Sequence, residues 1–354
     1  MKKIGIVTII DNDNYGNRLQ NYAVQEIIKR EKCYPVTIKN HFALNSKGNL
    51  IISILKYIVL SILKRVKSNK SRYKKFKEFN KNIKFSLRIA TPYSKIKRKY
   101  DYFIAGSDQI WKPNYGRMKD MDLLTFANYN QKISFAASFG VSNLSQEDKI
   151  FLKEKLKDFK NISVREEDGK KIIEELVKNK DVEVLIDPTM MLTAKEWDSV
   201  SKKPQQLKNE RYILNYFLGN ITEEYKQEIE RVAKENNCSI INILDKNDPF
   251  YSTGPSEFLY LEKNAFLVCT DSFHSCIFSI IFDTPFINFE RVDNRVCMNS
   301  RLKTLLKKFE LEDRKFKGKI DEKLLKHDYK RAYEILKIEK KKSSNFIRKA
   351  LDIQ

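Results

Sequence analysis

The chain has 354 residues, a mass of 41.9 kDa and a formal net charge of +22 at pH 7. That length predicts two domains of roughly 150 residues each, and 42% hydrophobic with 12% aromatic residues excludes a wholly disordered chain. Three His and five Cys without a CxxC pair argue against a structural zinc site and against a disulfide framework. We therefore expect two packed domains without a metal, in a reducing compartment.

The N-terminal segment combines two lysines with an apolar run, which briefly resembles a secretion signal. Asp11 ends that run, and no cleavage site of small residues follows. We predict instead a first buried strand over 4–10. No stretch approaches the roughly 18 uncharged apolar residues of a spanning helix, so we expect a cytoplasmic protein or one peripheral at the inner face of the cell membrane.

Strand-like and helix-like patterns alternate along the chain, which is typical of parallel sheets with crossover helices. Strands are predicted at 4–10, 34–39, 100–105, 132–137, 161–165, 182–186, 211–217, 239–244, 265–270 and 285–289. Helical patterns in the second half cover 222–236, 256–262, 273–282, 298–309 and 321–338. The polar, proline-containing segment 202–210 is a predicted linker, so the predicted domains are 1–201, with an insertion at 50–99, and 211–330, followed by a helix and basic tail at 331–354.

Most of the positive charge lies in two segments. Residues 64–99 hold 15 Lys or Arg and one acid, and residues 337–354 hold six basic and two acidic residues. The first block follows an apolar run at 50–63, and a helix through 51–66 would have one apolar half and one half rich in Ser, Lys and Arg. That pattern favours either contact of 50–77 with an anionic membrane surface or a helix packed on the body with a solvated flank. No nucleic-acid partner is expected, because the block contains no recognisable binding module.

Polar residues follow several predicted strands at the points where they end. These loops are 11–18, 106–111, 138–140, 165–166 and 270–275. Each could be ordinary turn chemistry, but parallel sheets bring their carboxyl ends to one edge, where ligands bind. We therefore expect these loops to surround a ligand.

His274 and Arg165 are the sharpest candidates for chemistry. An imidazole can exchange a proton near neutral pH, and the helix that starts beside His274 attracts anions through its free N–H groups. Arg165 at a strand end could bind a carboxylate or phosphate, or simply pair with Glu166 or Glu167. Because GxGxxG, Walker A, HExxH and GxSxG motifs are absent, the residues alone predict a two-domain cleft enzyme acting on an anionic small molecule.

An ordered set of motifs resembles the polysaccharide pyruvyl transferase family over roughly residues 4–310. The motifs are 4–8 (IGIVT), 14–23 (NYGNRLQNYA), 100–111 (YDYFIAGSDQIW), 134–140 (SFAASFG), 163–166 (SVRE), 187–189 (DPT) and 270–274 (TDSFH). The resemblance implies an α/β, GT-B-like fold of two Rossmann-type doubly wound domains facing a central cleft, with the C-terminal helix returning to the first. It implies transfer of a pyruvyl group from phosphoenolpyruvate to a sugar of a cell-surface or exopolysaccharide precursor, which can be lipid-linked, to form a ketal. Phosphoenolpyruvate is then a co-substrate, and no metal or other cofactor is required.

The resemblance also implies roles for individual residues. His274 matches the motif histidine and would transfer the proton, and Arg165 matches the motif arginine and would hold the donor. Ser272 and Ser275 are assigned to the donor side. The acceptor side is assigned to four polar residues: Asn14, Asn17, Asp108 and Gln109. His274 is followed here by Ser275 and Cys276, where Gly-Thr is common in relatives, which affects packing around the donor.

Two other functions stay open at this point. A nucleotide-sugar glycosyltransferase on the same fold would need a base and ribose pocket in the second domain and an acid such as Glu290 near the diphosphate. A non-catalytic protein associated with membranes or nucleic acid would depend on the 64–99 block and not on His274.

Overall fold

The computed structural model describes residues 1–40, 44, 51–56, 58–59, 69–113, 117–208, 211–292 and 300–353. The chain divides into two compact units. Unit 1 contains Met1–Ser68, Asn80–Met191 and Glu339–Gln354, and unit 2 contains Asn69–Phe79 and Leu192–Ile338. The parts of the predictions that fall on 50, 57, 60–68, 209–210 and 298–299 lie outside the described residues.

Unit 1 is built on a parallel sheet whose seven described strands have the order β3-β2-β1-β4-β5-β6-β7. The strands are β1 (Lys3–Val7), β2 (Tyr34–Lys39), β3 (Phe85–Ile89), β4 (Tyr102–Ala105), β5 (Lys132–Ala137), β6 (Asn161–Val164) and β7 (Val182–Val184). The strand order reverses between β1 and β4. Because helices cover both faces of such a sheet, its central strands are buried throughout, as β5 is.

Unit 2 is built on a smaller parallel sheet with the order β11-β10-β8-β9. Its strands are β8 (Tyr212–Tyr216), β9 (Ser239–Asn242), β10 (Leu267–Thr270) and β11 (Phe286–Asn288). The order reverses between β8 and β10. Ile213, Leu267 and Ile287 of three adjacent strands are completely buried and form part of one apolar core.

The helices of both units follow or precede these strands. In chain order they are α1 (Tyr15–Arg30), α2 (Lys70–Phe79), α3 (Gln146–Lys157), α4 (Glu167–Leu176), α5 (Ala194–Asp198), α6 (Glu223–Glu235), α7 (Pro255–Asn264), α8 (Phe273–Phe282), α9 (Ser300–Lys308), α10 (Glu322–Leu325) and α11 (Lys330–Ala350). α1 starts at Asn14, whose side chain caps the helix, and buries Leu19, Ala23 and Ile27 at helical spacing. Within the described residues, no helix is long and apolar enough to cross a bilayer.

One strand and one helix of the structure differ from the predictions. The sequence analysis assigned no strand to 85–89, where β3 pairs with β2 alone, at the edge of the sheet, and leaves Leu87 97% exposed. An edge strand that buries so little carries no apolar run to predict it from. The helix predicted at 321–338 is two helices, α10 and α11, because the Asp328 side chain accepts the backbone N–H of Lys330 and starts a new helix there.

The unit boundaries also differ from the predicted domains. Residues 69–79 of the predicted insertion belong to unit 2, where α2 buries Phe76 and Phe79 and Arg72 donates to the backbone oxygen of Tyr251. Unit 2 begins at Leu192, because α5 packs on α8 with the Trp197 and Phe278 ring centroids 5.1 Å apart. The predicted linker 202–210 therefore follows an element that already belongs to unit 2.

The C-terminal segment completes unit 1. Its residues 339–350 are the second part of α11, and the rings of Phe346 and Phe135 stack at 6.4 Å between centroids. Lys342 donates to the backbone oxygen of Val184 at 3.0 Å. Cys33, Cys238, Cys269 and Cys276 form no disulfide with one another, and Cys297 lies outside the described residues.

Candidate functional site

Most predicted site residues lie at the switch points of the two sheets, each within its own unit, whereas Arg165 follows β6. In doubly wound sheets, ligands bind outside the carboxyl ends of strands where the strand order reverses. In unit 1 this point lies between β1, followed by Asn14 and Asn17, and β4, followed by Asp108 and Gln109. In unit 2 it lies between β8 and β10, and His274 follows β10 directly. Topology therefore puts the predicted residues where each sheet can hold a ligand.

The loop after β4 makes a sharp turn that fixes Asp108. Gly106 has φ 133°, and a Cβ atom there would lie 2.3 Å from the backbone oxygen of Phe135, so only glycine fits. Asp108 has φ 67°, and its backbone oxygen accepts hydrogen bonds from the N–H groups of Ile110 and Ser138. A left-handed conformation at a residue other than glycine marks a position held by its surroundings.

Arg165 is buried between two carboxylates. It is 3% exposed, and its Nη1 and Nη2 atoms lie 2.5 Å from Asp187 Oδ2 and 3.2 Å from Asp108 Oδ1. Burial alone would lower the pKa of Arg165, but the charges of Asp187 and Asp108 outweigh that effect and raise it. The structural partners of Arg165 are therefore Asp187 and Asp108, whereas the sequence analysis considered Glu166 and Glu167. Its role in donor binding stays a prediction.

A hydrogen-bond network extends from this ion pair across the sheet edge. Asp187 Oδ1 accepts from the backbone N–H and the hydroxyl of Thr189, at 2.9 and 2.7 Å. The Ser107 hydroxyl lies 3.1 Å from Asp187 Oδ2, and its backbone N–H donates to Gln20 Oε1. Gln20 in turn donates to the Thr8 hydroxyl at 2.7 Å. The ends of β1, β4, β6 and β7 are thus connected through buried polar side chains.

Glu166 holds the loop that follows β5. Its Oε1 atom accepts from the Ser138 hydroxyl and from the N–H groups of Phe139 and Gly140, at 2.9, 2.8 and 3.1 Å. Gly140 has φ 64°, and a Cβ atom there would lie 2.0 Å from Gln109 Nε2. Gln109 is therefore half-buried against this loop.

The two predicted asparagines sit at the start of α1. Asn14 Oδ1 accepts the backbone N–H of Asn17 at 3.1 Å and so caps the helix. Asn17 is 4% exposed, and its buried Oδ1 atom receives no hydrogen bond from the described residues. Arg18, which the sequence analysis did not assign to the site, is completely buried, and its Nη2 donates to the backbone oxygen of Ile9 at 2.5 Å. Burial lowers the pKa of Arg18 to about 10.

His274 lies in the first turn of α8 in unit 2. It is 7% exposed, and Ser272, the N-cap residue, makes no side-chain capping bond to the described residues. The backbone N–H of Ser272 donates to the Thr270 hydroxyl at 2.9 Å. The first N–H groups of a helix carry partial positive charge and bind anions, so the histidine stands beside an anion-attracting helix end.

Asp271 joins the loops after β8 and β10. Its carboxylate accepts the N–H groups of Leu218 and Gly219 at 2.7 and 2.8 Å, and Arg291 Nε at 3.1 Å. From its place three residues before His274 in the sequence, Asp271 could instead cap the helix or orient the imidazole. These three bonds give it another role, since they hold the backbone of the loop after β8.

Ser275 points its hydroxyl into the contact between α7 and α8. It donates to Glu262 Oε1 at 2.5 Å, and Ser279 donates to the other carboxylate oxygen at 3.4 Å. Glu262 is completely buried, and this burial raises its pKa to about 8, although the two serines oppose the shift. The donor-side role predicted for Ser275 would require its hydroxyl to leave Glu262.

Two arginines that the sequence analysis missed lie near the start of α8. Arg291, with a side chain 9% exposed, pairs with Asp271. Arg301 is 8% exposed, and its guanidinium carbon lies 5.6 Å from the ring centroid of Phe273, the neighbour of His274. Arg291 follows the end of β11 as Arg165 follows the end of β6, and this position could have marked it as a site residue in the sequence. Arg301 lies within a helical pattern, which gives no such indication. Together they bring two buried cations close to the N-terminus of α8.

Comparison with known proteins agrees with this geometry. The model of the family described as polysaccharide pyruvyl transferase matches residues 14–294. The fold is similar to a UDP-GlcNAc 2-epimerase from Neisseria meningitidis and a glycosyltransferase from Rickettsia africae, both at 12% identity and TM-score 0.50. The alignments cover 99% of this chain in both cases, and 99% and 98% of the two structures. At this identity they show the fold alone, which is α/β and GT-B-like as predicted.

The curated proteins give no significant match. The family match covers most of the chain, and its span contains the polar residues at both switch points, from Asn14 to His274. The chain belongs to the polysaccharide pyruvyl transferase family, a family of transferases.

Proposed function

We propose that the protein transfers a pyruvyl group from phosphoenolpyruvate to two hydroxyls of one sugar in a precursor of a cell-surface or exopolysaccharide. The observation that carries this proposal is the position of His274 in the first turn of α8, with Arg291 and Arg301 near the start of that helix. Phosphoenolpyruvate carries a phosphate and a carboxylate, and an N-terminal helix end with two cations suits such an anion. The reaction also requires a proton donor beside this anion, and His274 is proposed to be that group.

The chemistry needs one proton delivered and two removed. His274 protonates the methylene carbon of phosphoenolpyruvate, which becomes a methyl group and leaves an oxocarbenium-like centre at the adjacent carbon. One sugar hydroxyl attacks that centre and loses its proton. The phosphate then leaves with its bonding electrons, and the second hydroxyl takes its place. One of the two hydroxyl protons replaces the proton given to carbon, and the other is taken up by the departing phosphate. The products are a cyclic ketal and inorganic phosphate, and the reaction calls for no further cofactor.

The remaining predicted residues keep their assigned roles within this proposal. Arg165 would bind the donor's carboxylate or phosphate, at the expense of one of its two carboxylate partners. Asp108 makes the longer of those contacts, so it is the partner we expect to release. Ser272 and Ser275 stay assigned to the donor. The acceptor, proposed to be a sugar on a lipid-linked precursor, would contact Asn14, Asn17, Asp108 and Gln109.

A phosphate-release assay with phosphoenolpyruvate and candidate acceptor glycans tests the proposal. His274→Ala is expected to lower kcat by about 10²–10⁴-fold, the usual contribution of a general acid or base. His327→Ala is the matched control, because His327 belongs to the same unit but pairs with Asp283 at 3.1 Å, away from α8's first turn. Turnover of the His274→Ala protein close to that of the His327→Ala protein would refute the assignment.

A nucleotide-sugar glycosyltransferase is the second candidate. It is favoured by the fold shared with an epimerase whose structure holds UDP-GlcNAc and with a glycosyltransferase. The acid considered for it, Glu290, is exposed and pairs with Lys315 at 3.4 Å. A melting temperature raised by UDP-sugars and unchanged by phosphoenolpyruvate would favour this candidate over pyruvyl transfer.

A further inference from the structure

An exposed apolar segment lies in unit 1, in residues 51–56, 58 and 59, which are helical. At about 100° per residue, its six large aliphatic side chains fall within an arc of about 160°. They are Ile51 (71% exposed), Ile52 (50%), Ile54 (42%), Leu55 (58%), Ile58 (47%) and Val59 (55%). We call residues 51–56, 58 and 59 the apolar segment. One side of a helix is thus both apolar and open to solvent.

The sequence allowed two interpretations of this helix, contact with a membrane or packing on the body of the protein. The side of the helix that is exposed decides between them. A helix packed on the body would bury its aliphatic side and expose its polar side. In the apolar segment the aliphatic side is exposed instead, and Ser53 on the opposite side is less exposed than Ile52 and Ile54, while Lys56 beside the aliphatic arc is exposed too. Contiguous exposed apolar surface on a protein marks a place where a partner binds.

The positive charge that follows the apolar segment in the sequence favours an anionic partner. Residues 80–99, which follow it in the sequence and belong to the same unit, carry a net charge of +7. Several basic side chains of this stretch are exposed, namely those of Lys81, Lys84 and Arg88 and of the lysines and arginine in the turn Lys95–Lys99. A second copy of this chain would bring the same positive charge to the contact and be repelled. An anionic bilayer offers both an apolar interior and negative headgroups.

We propose that the apolar segment lies in the interface of an anionic lipid bilayer, with its aliphatic side in the acyl boundary and the basic residues at the headgroups. This inference goes beyond pyruvyl transfer and does not depend on it. It places the protein on a membrane surface without a spanning helix, through burial of aliphatic side chains reinforced by charge attraction.

Co-sedimentation of the full-length protein with vesicles tests this surface. The vesicles contain phosphatidylcholine and phosphatidylglycerol in equal amounts, with phosphatidylcholine alone as the uncharged comparison. The triple variant Ile51→Ser, Leu55→Ser and Ile58→Ser is expected to lose at least about tenfold in partition to the anionic vesicles. Added salt is expected to weaken the binding of the unchanged protein.

Leu87→Ser is the matched control, because Leu87 is a 97% exposed aliphatic residue of unit 1 outside the apolar segment. It should bind vesicles as the unchanged protein does. A deletion of residues 50–77 would not test the apolar segment alone, because it also removes Phe76, which is buried in unit 2. Unchanged vesicle binding of the triple variant would overturn the proposal. If light scattering shows that the unchanged protein is a dimer and the triple variant a monomer that still binds vesicles, the proposal is also overturned. The apolar segment would then be a contact with a second copy of the chain.

Discussion

The two sheets carry their polar residues at equivalent topological positions but balance the charge there in opposite ways. At the edge of the sheet in unit 1, Arg165 is enclosed by Asp108 and Asp187, so the cation is more than neutralised. Around α8 in unit 2, Arg291 pairs with the carboxylate of Asp271, and Arg301 is buried beside the helix N-terminus. Arg165 in unit 1 is thus paired with two carboxylates, whereas we propose that the arginines near α8 in unit 2 attract the anionic donor.

Buried carboxylates show the same contrast. Asp187 in unit 1 has a cation for a partner, whereas the described partners of Glu262 in unit 2 are two serine hydroxyls. A buried carboxylate without a cation shifts its pKa instead of staying ionised. The switch point of unit 2 also has an ion pair, Asp271 with Arg291, so the contrast is between Asp187 and Glu262, whose pKa is raised to about 8.

Removal of Arg165 gives the largest expected effect on stability. Arg165→Ala leaves Asp108 and Asp187 buried without their cation, and a broken buried pair costs about 3–5 kcal/mol. The free energy of unfolding, measured with urea, should fall by that amount. The double variant Arg165→Ala with Asp187→Asn removes one of the stranded charges and should recover part of the loss. A loss below about 1 kcal/mol for Arg165→Ala would show that unit 1 does not depend on this pair.

The pH dependence of stability sharpens the contrast between the carboxylates. Burial raises the pKa of Glu262 from 4.5 to about 8, so the folded protein keeps a proton that the unfolded chain loses between those values. The free energy of unfolding should therefore fall as the pH rises through that window, by up to about 1.4 kcal/mol per pH unit.

Glu262→Gln keeps an acceptor for the Ser275 hydroxyl but cannot titrate. Its stability relative to the unchanged protein should increase as the pH rises from 4.5 to about 8. Urea unfolding at several pH values in this window measures the difference. Parallel pH profiles for the two proteins would mean that Glu262 does not carry the shifted proton.

A smaller effect is expected at the start of α1. Asn14→Ala removes the cap from the Asn17 N–H and should cost about 0.5–2 kcal/mol of unfolding free energy, whereas Asn14→Ser keeps a capping oxygen and should cost almost nothing. If Asn14 also contacts the acceptor, Asn14→Ser should raise the KM for the acceptor while stability is unchanged. Equal KM values for Asn14→Ser and the unchanged protein would limit Asn14 to its capping role.

The sequence predicted those features that depend on local patterns. Runs such as 132–137 and 265–270 indicate buried strands, and polar loops at their ends indicate the sheet edges where His274 and Asp108 lie. The edge strand β3 lacked such a pattern. The inclusion of α2 in unit 2 depends on long-range contacts between Arg72 and Tyr251, which no local pattern reveals.

The partners of individual side chains were beyond local patterns for the same reason. Arg165 meets Asp187 and Asp108 across separations of 22 and 57 residues, whereas the acids beside it in sequence looked equally suitable. Glu166, one of those acids, is used by the loop after β5. Arg301 lies in a helix whose basic residues otherwise resemble a solvated surface, and its burial against Phe273 distinguishes it.

The most direct measurement is a calorimetric titration of phosphoenolpyruvate into the full-length protein and into Arg301→Ala, after urea unfolding has verified that the variant is folded. Positive charge around α8 in unit 2 predicts that phosphoenolpyruvate binds the unchanged protein and that Arg301→Ala weakens this binding by about tenfold or more. UDP-GlcNAc should give no binding heat. Binding of UDP-GlcNAc without binding of phosphoenolpyruvate, or equal phosphoenolpyruvate affinity in the folded variant, would contradict the account.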